Sequence, residues 1–429
     1  MAEPGQQQRI AVVGSGIAGL GAAWLLQRRH RVTLFEGADR LGGHTHTHAI
    51  ESAAGTVHVD TGFIVYNPDH YPLLSRMFSE LGVQSQPTTM SFSVSDERTG
   101  FEYEASDLRG LYCRWQNAFS VRFHRMLWDL LRFYRLAPAL LAAPEPGPAL
   151  GEWLATHHFS KGFVDDHLLP MAAALWSSPE RQILDFPARS LVQFMHNHCM
   201  LQISGRPPWR VVQGGSSSYI AAMLPRLKEV EIRLGSPVQS LARVADGVDL
   251  VSREPAGGLR NEHFDQVVLA CHSNQALALL KQPSELEREL LGALPYQSND
   301  VVLHTDISLL PKRRRAWAAW NALKLADAEQ RCTVSYSMNL LQSLPGPTQY
   351  IVTLNATDRI DPAKILRRLD YQHPLYTLAG SRARARRAEI NGVDRIWYCG
   401  AYWGHGFHED GLRSGVEVAR GLGVEWPLA

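Results

Sequence analysis

The stretch Arg9-Ile10-Ala11-Val12-Val13-Gly14-Ser15-Gly16-Ile17-Ala18-Gly19 decides the fold. Arg9 to Val13 is a short apolar run with β-branched residues that stops at a glycine, as a buried strand does. Ile17 to Gln27 is Ala- and Leu-rich at helical spacing. Arg31 to Phe35 (RVTLF) reads as a second strand, closed by Glu36. Strand, tight turn, helix and strand within about 30 residues make a βαβ unit. Parallel strands joined by a crossover helix place the chain in the α/β class.

The turn inside that unit has a G-x-G-x-x-G spacing and sits where the motif has meaning, after a strand and at the start of a helix. Gly14 permits the tight turn, Gly16 lets a pyrophosphate approach the backbone, and Gly19 lets helix and strand pack closely. The helix N-terminus then offers free N–H groups to phosphate charge. Glu36 lies 17 residues after Gly19, at the end of the second strand. Its carboxylate can accept from both ribose hydroxyls, and no Arg stands there to receive a 2′-phosphate. A dinucleotide without that phosphate is expected. Arg40-Leu41-Gly42-Gly43 follows, and an Arg before a glycine pair suits a second approach to the pyrophosphate.

Working outward, 429 residues suggest two or three domains at about 150 residues each. The 43 basic and 42 acidic residues leave a formal charge of +1, which excludes a general nucleic-acid binder. Charged residues at 20% and hydrophobics at 45% describe an ordinary globular chain. The N-terminal ten residues lack the apolar core of a signal peptide, and no run approaches the ~18 apolar residues of a membrane span. Cys113, Cys199, Cys271, Cys332 and Cys399 are scattered and odd in number. A reduced, cytoplasmic location is expected. No pattern specifies an oligomeric state.

Helical, aromatic and Arg-rich sequence takes over after about residue 72, strand-like sequence returns at Trp209, and it returns again at RIWYCGAYWG near the end. The expected organisation is a nucleotide-binding domain over 8–71, 208–284 and 391–429, with a second domain over 72–207 and 285–390.

Several further strings carry a resemblance. GSGIAGLGAA, VTLFE and RLGG, then Asp60-Thr61-Gly62, Gln213-Gly214-Gly215-Ser216, DQVVLA from Asp265, Tyr398-Cys399-Gly400 and the Gly406–Gly415 segment resemble the amine-oxidase-like FAD superfamily. That group includes monoamine oxidases, phytoene desaturases and protoporphyrinogen oxidases. The resemblance spans residues 9 to 415 and implies a Rossmann-type, three-layer FAD domain with an interleaved α+β substrate domain. It implies non-covalent FAD held by Gly14, Ser15, Gly16, Ile17, Ala18, Gly19, Glu36, Gly37, Arg40, Gly42, Gly43, His44, Val238, Gly400, Asp410, Gly411 and Leu412. Val238 matches the residue whose backbone holds the adenine, and the helix starting near Asp410 would stabilise the reduced ring through its dipole.

GGHTHT, DTGFIVYN, PMAAALWSS, RRRAWAAWN and YCGAYWGHGFHEDGLRSG look like a bacterial subgroup of predicted NAD/FAD-binding proteins. Its members are often encoded beside cyclopropane-fatty-acid synthases.

The chain departs from the superfamily in places. Arg29 replaces a Gly before the second strand, and His44 replaces an Arg. Tyr402 stands where monoamine oxidases carry a Glu, and Phe407 replaces one aromatic-cage Tyr. His304 takes the place of a Lys that holds a water near flavin N5. The resemblance thus implies His304, Tyr402 and Phe407 as catalytic candidates, with His304 as proton relay or water holder. The amine apparatus is incomplete. An apolar substrate, first of all a lipid acyl chain that loses hydride from a C–H bond, is expected. The alternatives are an amine oxidase, a redox-neutral double-bond isomerase and a flavin-bound lipid-binding module without turnover.

Three other features stand apart from the nucleotide motif. His44, His46 and His48 alternate and would share one face of a strand, yet no Cys or carboxylate completes a metal set, so flavin lining is expected and metal is not. Trp115, Phe119, Phe123, Met126, Leu127, Leu130 and Tyr134 share one helical face, opposite Arg114, Arg122, Arg125, Arg132 and Arg135. Such a helix packs inward in most proteins, or lies transiently on an anionic surface such as the inner membrane. Trp317, Trp320 and Asn321 form either a pocket wall or a core patch, and His196, His198 and Cys199 are structural or pocket-lining.

Overall fold

The computed structural model describes residues 6–52, 55–142, 147–176, 180–205, 207–326 and 333–426. Cys332 and part of the PMAAALWSS string lie outside them.

The opening βαβ unit forms as the sequence requires. Strand Arg9–Val13 is the centre of a five-stranded sheet with the order Val230–Arg233, Arg31–Phe35, Arg9–Val13, Gln266–Leu269, Ile396–Tyr398. Every pairing is parallel. The sheet is therefore assembled from the start, middle and end of the chain. Helix Ile17–Leu26 crosses between the first two strands and is buried at every position. It can be, because its partner, helix His408–Gly421, meets it through small residues. A Cβ at Gly415 would overlap the Ala18 carbonyl, and one at Gly21 would overlap the Leu412 side chain. Arg29 shows how its position manages without glycine: it is not among the positive-φ residues, and its guanidinium donates to the Gly423 carbonyl at 2.9 Å. A three-stranded antiparallel sheet, Val238–Arg243, Val248–Glu254 and Gly258–Phe264, covers the opposite face through Leu241, Leu250 and Phe264.

The second half is a seven-stranded sheet with the order Ile365–Pro374, Tyr296–His304, Ile351–Leu354, Thr333–Ser337, Trp320–Lys324, Phe92–Asp96, Phe101–Glu104. Its pairings are antiparallel except that of Trp320–Lys324 with Phe92–Asp96. Helices between Val121 and Asn197 pack on it around Phe123, Phe133, Phe163 and Phe194. The change of domain expected at residue 72 is displaced by one helix. Pro72–Leu81 buries Leu74, Met77, Phe78 and Leu81 in the nucleotide-side core, because the Glu409 carboxylate caps its N-terminus through Leu73 and Leu74 N–H at 3.1 and 3.0 Å. Asn321 proves to be a pin for the sheet. Its side chain donates to the Ala318 and Ser335 carbonyls and accepts from Ala318 N–H and the Ser93 hydroxyl. Among the described residues, no helix is long and apolar enough to cross a membrane.

Candidate functional site

The site lies beyond the carboxyl ends of the parallel strands, where Gly14, Glu36, the Ala270–His272 segment and Cys399–Gly400 all emerge. Gly14 has φ +103°, and a Cβ at Gly19 would overlap the Gly14 carbonyl. Both glycines are thus demanded by the turn. Gly16 differs, for nothing lies within 4 Å of where its Cβ would be. That open space faces a helix whose N-terminus has no side-chain cap and no acid in its first turn. The first-turn N–H groups, including those of Ile17 and Ala18, are therefore free to receive phosphate.

Glu36 fixes this loop. One carboxylate oxygen accepts from Ser15 N–H at 2.9 Å and the Ser15 hydroxyl at 2.5 Å, and the other from Ala38 N–H at 2.9 Å. The oxygen that faces Ala38 keeps lone-pair capacity for a ribose hydroxyl, whereas the other is filled by its two bonds to Ser15. Gly37 packs against Pro237, which brings Val238 alongside. A register shift between Val238 and Ser240 interrupts the antiparallel ladder at that point, where a base edge could use the backbone. Gly42 and Gly43 have φ +113° and +56°, and Gly43 backs onto Gly16. Arg40 was expected to approach the pyrophosphate. Instead its guanidinium donates to the Gly43 carbonyl at 2.8 Å and the Thr45 carbonyl at 3.1 Å, so it holds the second loop closed.

Around the start of the terminal helix the side chains serve the fold. The Asp410 carboxylate accepts from His405 N–H at 3.0 Å and Phe407 N–H at 3.2 Å, so it folds the preceding turn rather than pointing at a ligand. The Leu412 side chain is buried against Gly21, and a Cβ at Gly411 would meet Ile17. What this segment offers a cofactor is backbone. The N-termini of the first and last helices converge, and their dipoles favour negative charge between them. Gly400 donates to the Ser414 hydroxyl at 2.8 Å, and a Cβ there would overlap the Tyr402 ring.

At the mouth between the two halves stands an aromatic and histidine cluster. His44 lies 5.0 Å from Tyr371, 5.4 Å from His373 and 5.9 Å from His272, ring centre to ring centre. His272 stacks on Tyr296 at 4.4 Å. His373 Nδ1 is 3.2 Å from the Asn299 amide. Among the described residues, buried His44 Nε2, Tyr402 Oη and Trp403 Nε1 have no hydrogen-bond partner. Several such atoms gathered in one place fit a polar ring system as their missing partner. Burial depresses the imidazoles: His373 to about 4, His408 to about 3, and His44 well below its ordinary value, where neighbouring His373 and His272 add repulsion. These rings are neutral at pH 7. Burial also pushes the Tyr402 phenol far above its ordinary range.

Of the three catalytic candidates, Tyr402 is buried beside this cluster, and Phe407 stacks on Phe194 at 4.7 Å, where the terminal helix meets the second half. His304 is elsewhere. It closes strand Tyr296–His304, eight residues from Tyr296, which is roughly 27 Å of extended chain. There Nε2 meets the Thr353 hydroxyl at 2.7 Å and Nδ1 accepts from Asp306 N–H at 3.0 Å. It is a fully buried core histidine, depressed to about 4 by burial, and the relay role is withdrawn. The strand runs away from the cleft, and motif position alone cannot reveal that.

The histidine triplet divides. His44 joins the cluster, while His46 and His48 face each other at 4.0 Å beside Tyr371 and Thr61. Among the described residues, no group of three or more His, Cys, Asp and Glu side chains could hold a metal. His272 and Tyr296 were missed in the sequence. His272 was within reach, since it follows a parallel strand at its carboxyl end. Asn299, Tyr371 and His373 carry no local signal.

A family profile described as flavin containing amine oxidoreductase matches residues 17–312. The chain belongs to that family, and membership implies FAD. An L-amino-acid oxidase of Siganus canaliculatus is 27% identical over 309 residues, covering 69% of this chain and 56% of that protein. The chain thus spans little more than half the length of this relative. The crystal structure of a fatty acid isomerase from P. acnes that produces CLA superposes with a TM-score of 0.69 at 15% identity, covering 96% of this chain and 98% of that one. A putative protoporphyrinogen oxidase from Exiguobacterium gives 0.67 at 15% identity over 98% and 99%. At such identities these two structures speak for the fold.

Proposed function

We propose that this chain is an FAD-dependent oxidoreductase that removes hydride from a C–H bond of an apolar substrate, and that the substrate is a lipid acyl chain. The observation that carries the reading is the character of the wall where the halves meet. Phe407 stacks on Phe194, with His198 beside them. The two acids that follow Phe407 in the chain, Glu409 and Asp410, are both committed to backbone N–H groups. Neither of these carboxylates is left for a cationic substrate. Apolar lining with neutral polar groups selects by shape and buried area.

Bound FAD supplies the hydride acceptor. The chain's own groups do the rest. The glycine loop and Glu36 hold the nucleotide, and the converging helix N-termini favour negative charge on the ring side. The Phe407–Phe194 wall excludes water and orients the chain. Tyr402 and neutral His44 and His373 offer donors and acceptors without adding charge. The fold shared with a fatty acid isomerase is compatible with this reading: redox-neutral isomerisation would return the hydride to the chain, whereas desaturation would keep it and also release a proton from the adjacent carbon.

The test is anaerobic titration of the flavin-bound protein with a cell lipid extract, and in parallel with a panel of amines and amino acids. Bleaching by a lipid fraction alone supports the proposal. Bleaching by an amine or amino acid replaces it with the amine-oxidase reading. A moved double bond without net bleaching assigns isomerisation. Tight lipid binding with neither change assigns a non-catalytic lipid-binding role.

A further inference from the structure

The helix expected over Trp115–Tyr134 breaks at Ser120. Trp115–Phe119 is a 3-10 turn, and helix Val121–Leu136 begins where the Ser120 hydroxyl accepts from Phe123 N–H at 3.2 Å. The apolar face read from the sequence does pack inward from there, through Phe123 and Met126 with Leu127, Leu130 and Tyr134 partly covered. What remains outside is unusual. Trp115 is 70% exposed, Phe119 80%, Val121 84% and Trp128 59%, with Leu108 at 72% on the adjoining turn. Val121, Arg125, Trp128, Leu131 and Arg135 recur at three- and four-residue steps, so one outward stripe mixes large apolar side chains with arginines.

The charge around this stripe is one-sided. Residues 108–142 contain six arginines and one acid, Asp129. Asp129 is fully buried and pairs with Arg125 and Arg132, while Arg122 pairs with Asp166 at 2.6 Å. Arg109, Arg114 and Arg135 have no ion pair among the described residues. The Arg314–Ala316 turn packs beside Leu108–Leu111 and adds exposed Arg314 and Arg315. A second copy of this surface would meet its own positive charge. An anionic surface would not, and exposed indoles among arginines are what a lipid headgroup layer accommodates.

We propose that Leu108, Trp115, Phe119, Val121 and Trp128, with the surrounding arginines, dock this protein reversibly on an anionic lipid surface. Docking is peripheral, since the side chains are short and sit on one turn and one helix. The inference is independent of the substrate. It differs in part from the sequence expectation: Trp115 and Phe119 belong to the apolar face read there, but Phe123 and Met126 of that face are buried, and Leu108, Val121 and Trp128 take their place.

The test uses the flavin-bound full chain and vesicle flotation. Vesicles containing phosphatidylglycerol should carry the protein up the gradient, phosphatidylcholine alone should not, and raised salt should release it. Tryptophan emission should shift to the blue on binding. The variant Trp115→Ser/Phe119→Ser/Trp128→Ser should lose binding more than tenfold with flavin absorbance and melting unchanged. Arg109→Gln/Arg114→Gln/Arg135→Gln should weaken it by roughly fivefold per arginine. Should the first variant fail to fold, the second decides alone. Unchanged flotation of a folded variant overturns the proposal, as does wild-type protein that ignores anionic vesicles. A dimer in sedimentation equilibrium that the aromatic variant dissolves would assign the surface to self-association and overturn it equally.

Discussion

The cradle at Gly14–Gly43 and the wall at Phe194–Phe407 are built in opposite ways. The cradle is local. Glu36 reaches Ser15 across 21 positions, and Ser15 Oγ accepts from Gly42 N–H across 27. The wall is assembled from afar, with Phe194 against Phe407, His44 against His373, and Glu409 capping the helix that starts at Pro72. A local cradle tolerates variation elsewhere and fails abruptly within. The distant wall depends on the whole fold, and there a single residue's sequence neighbours say little about its neighbours in space.

Two glycines three residues apart should separate folding from binding most sharply. Gly19→Ala forces a Cβ into the Gly14 carbonyl and should yield aggregated or flavin-free protein. Gly16→Ala meets no protein atom within 4 Å, so the chain should fold with normal circular dichroism while flavin content falls at least tenfold. Equal flavin content in the Gly16 variant would show that the loop does not approach the pyrophosphate.

Glu36→Ala comes next. It removes charge-assisted hydrogen bonds of roughly 1.5–3 kcal/mol each, and occupancy measured by visible absorbance should drop more than tenfold.

Acid should loosen the wall before the cradle. His198 and His373 fall to about 4 and His408 to about 3, from an ordinary 6.5. A base with a depressed folded value contributes stability above pH 6.5 that is lost as pH falls toward 4, at ~1.4 kcal/mol per unit for a fully buried group. Melting temperature should decline steeply over that window. A flat profile would show that these rings stay solvated.

His304→Gln breaks the contacts with Thr353 and Asp306 and should cost about 1–3 kcal/mol of stability, with the rate of flavin reduction unaltered. A selective loss of that rate would restore His304 to the chemistry. The smallest effect is expected from Cys399→Ser. Burial raises the Cys399 thiol to about 12, so little thiolate exists to form a flavin bond. FAD should leave both proteins on acid precipitation, and a yellow wild-type pellet would contradict this.

The nucleotide cradle was legible because its determinants are backbone demands met within one βαβ unit. A positive φ at Gly14, a close approach at Gly19 and an acid at the next strand end leave few alternatives. The side chains of Arg40 and Asp410 turn to loop carbonyls and turn N–H groups, contacts that spacing does not encode.

The sequence by itself determined that a parallel βαβ unit begins at Arg9 and that its tight turns fall at Gly14 and at Gly42–Gly43. It also determined that the helix near Trp128 has an apolar and a basic side. Only the tertiary structure decided that His304 lies at the far end of its strand, that Phe407 meets Phe194, and that Trp115, Phe119 and Trp128 stay outside. The reason is physical. Backbone strain and helical period act between near neighbours in the chain, whereas burial is decided by whichever distant segments arrive to cover a surface, and nothing in the described fold covers that one.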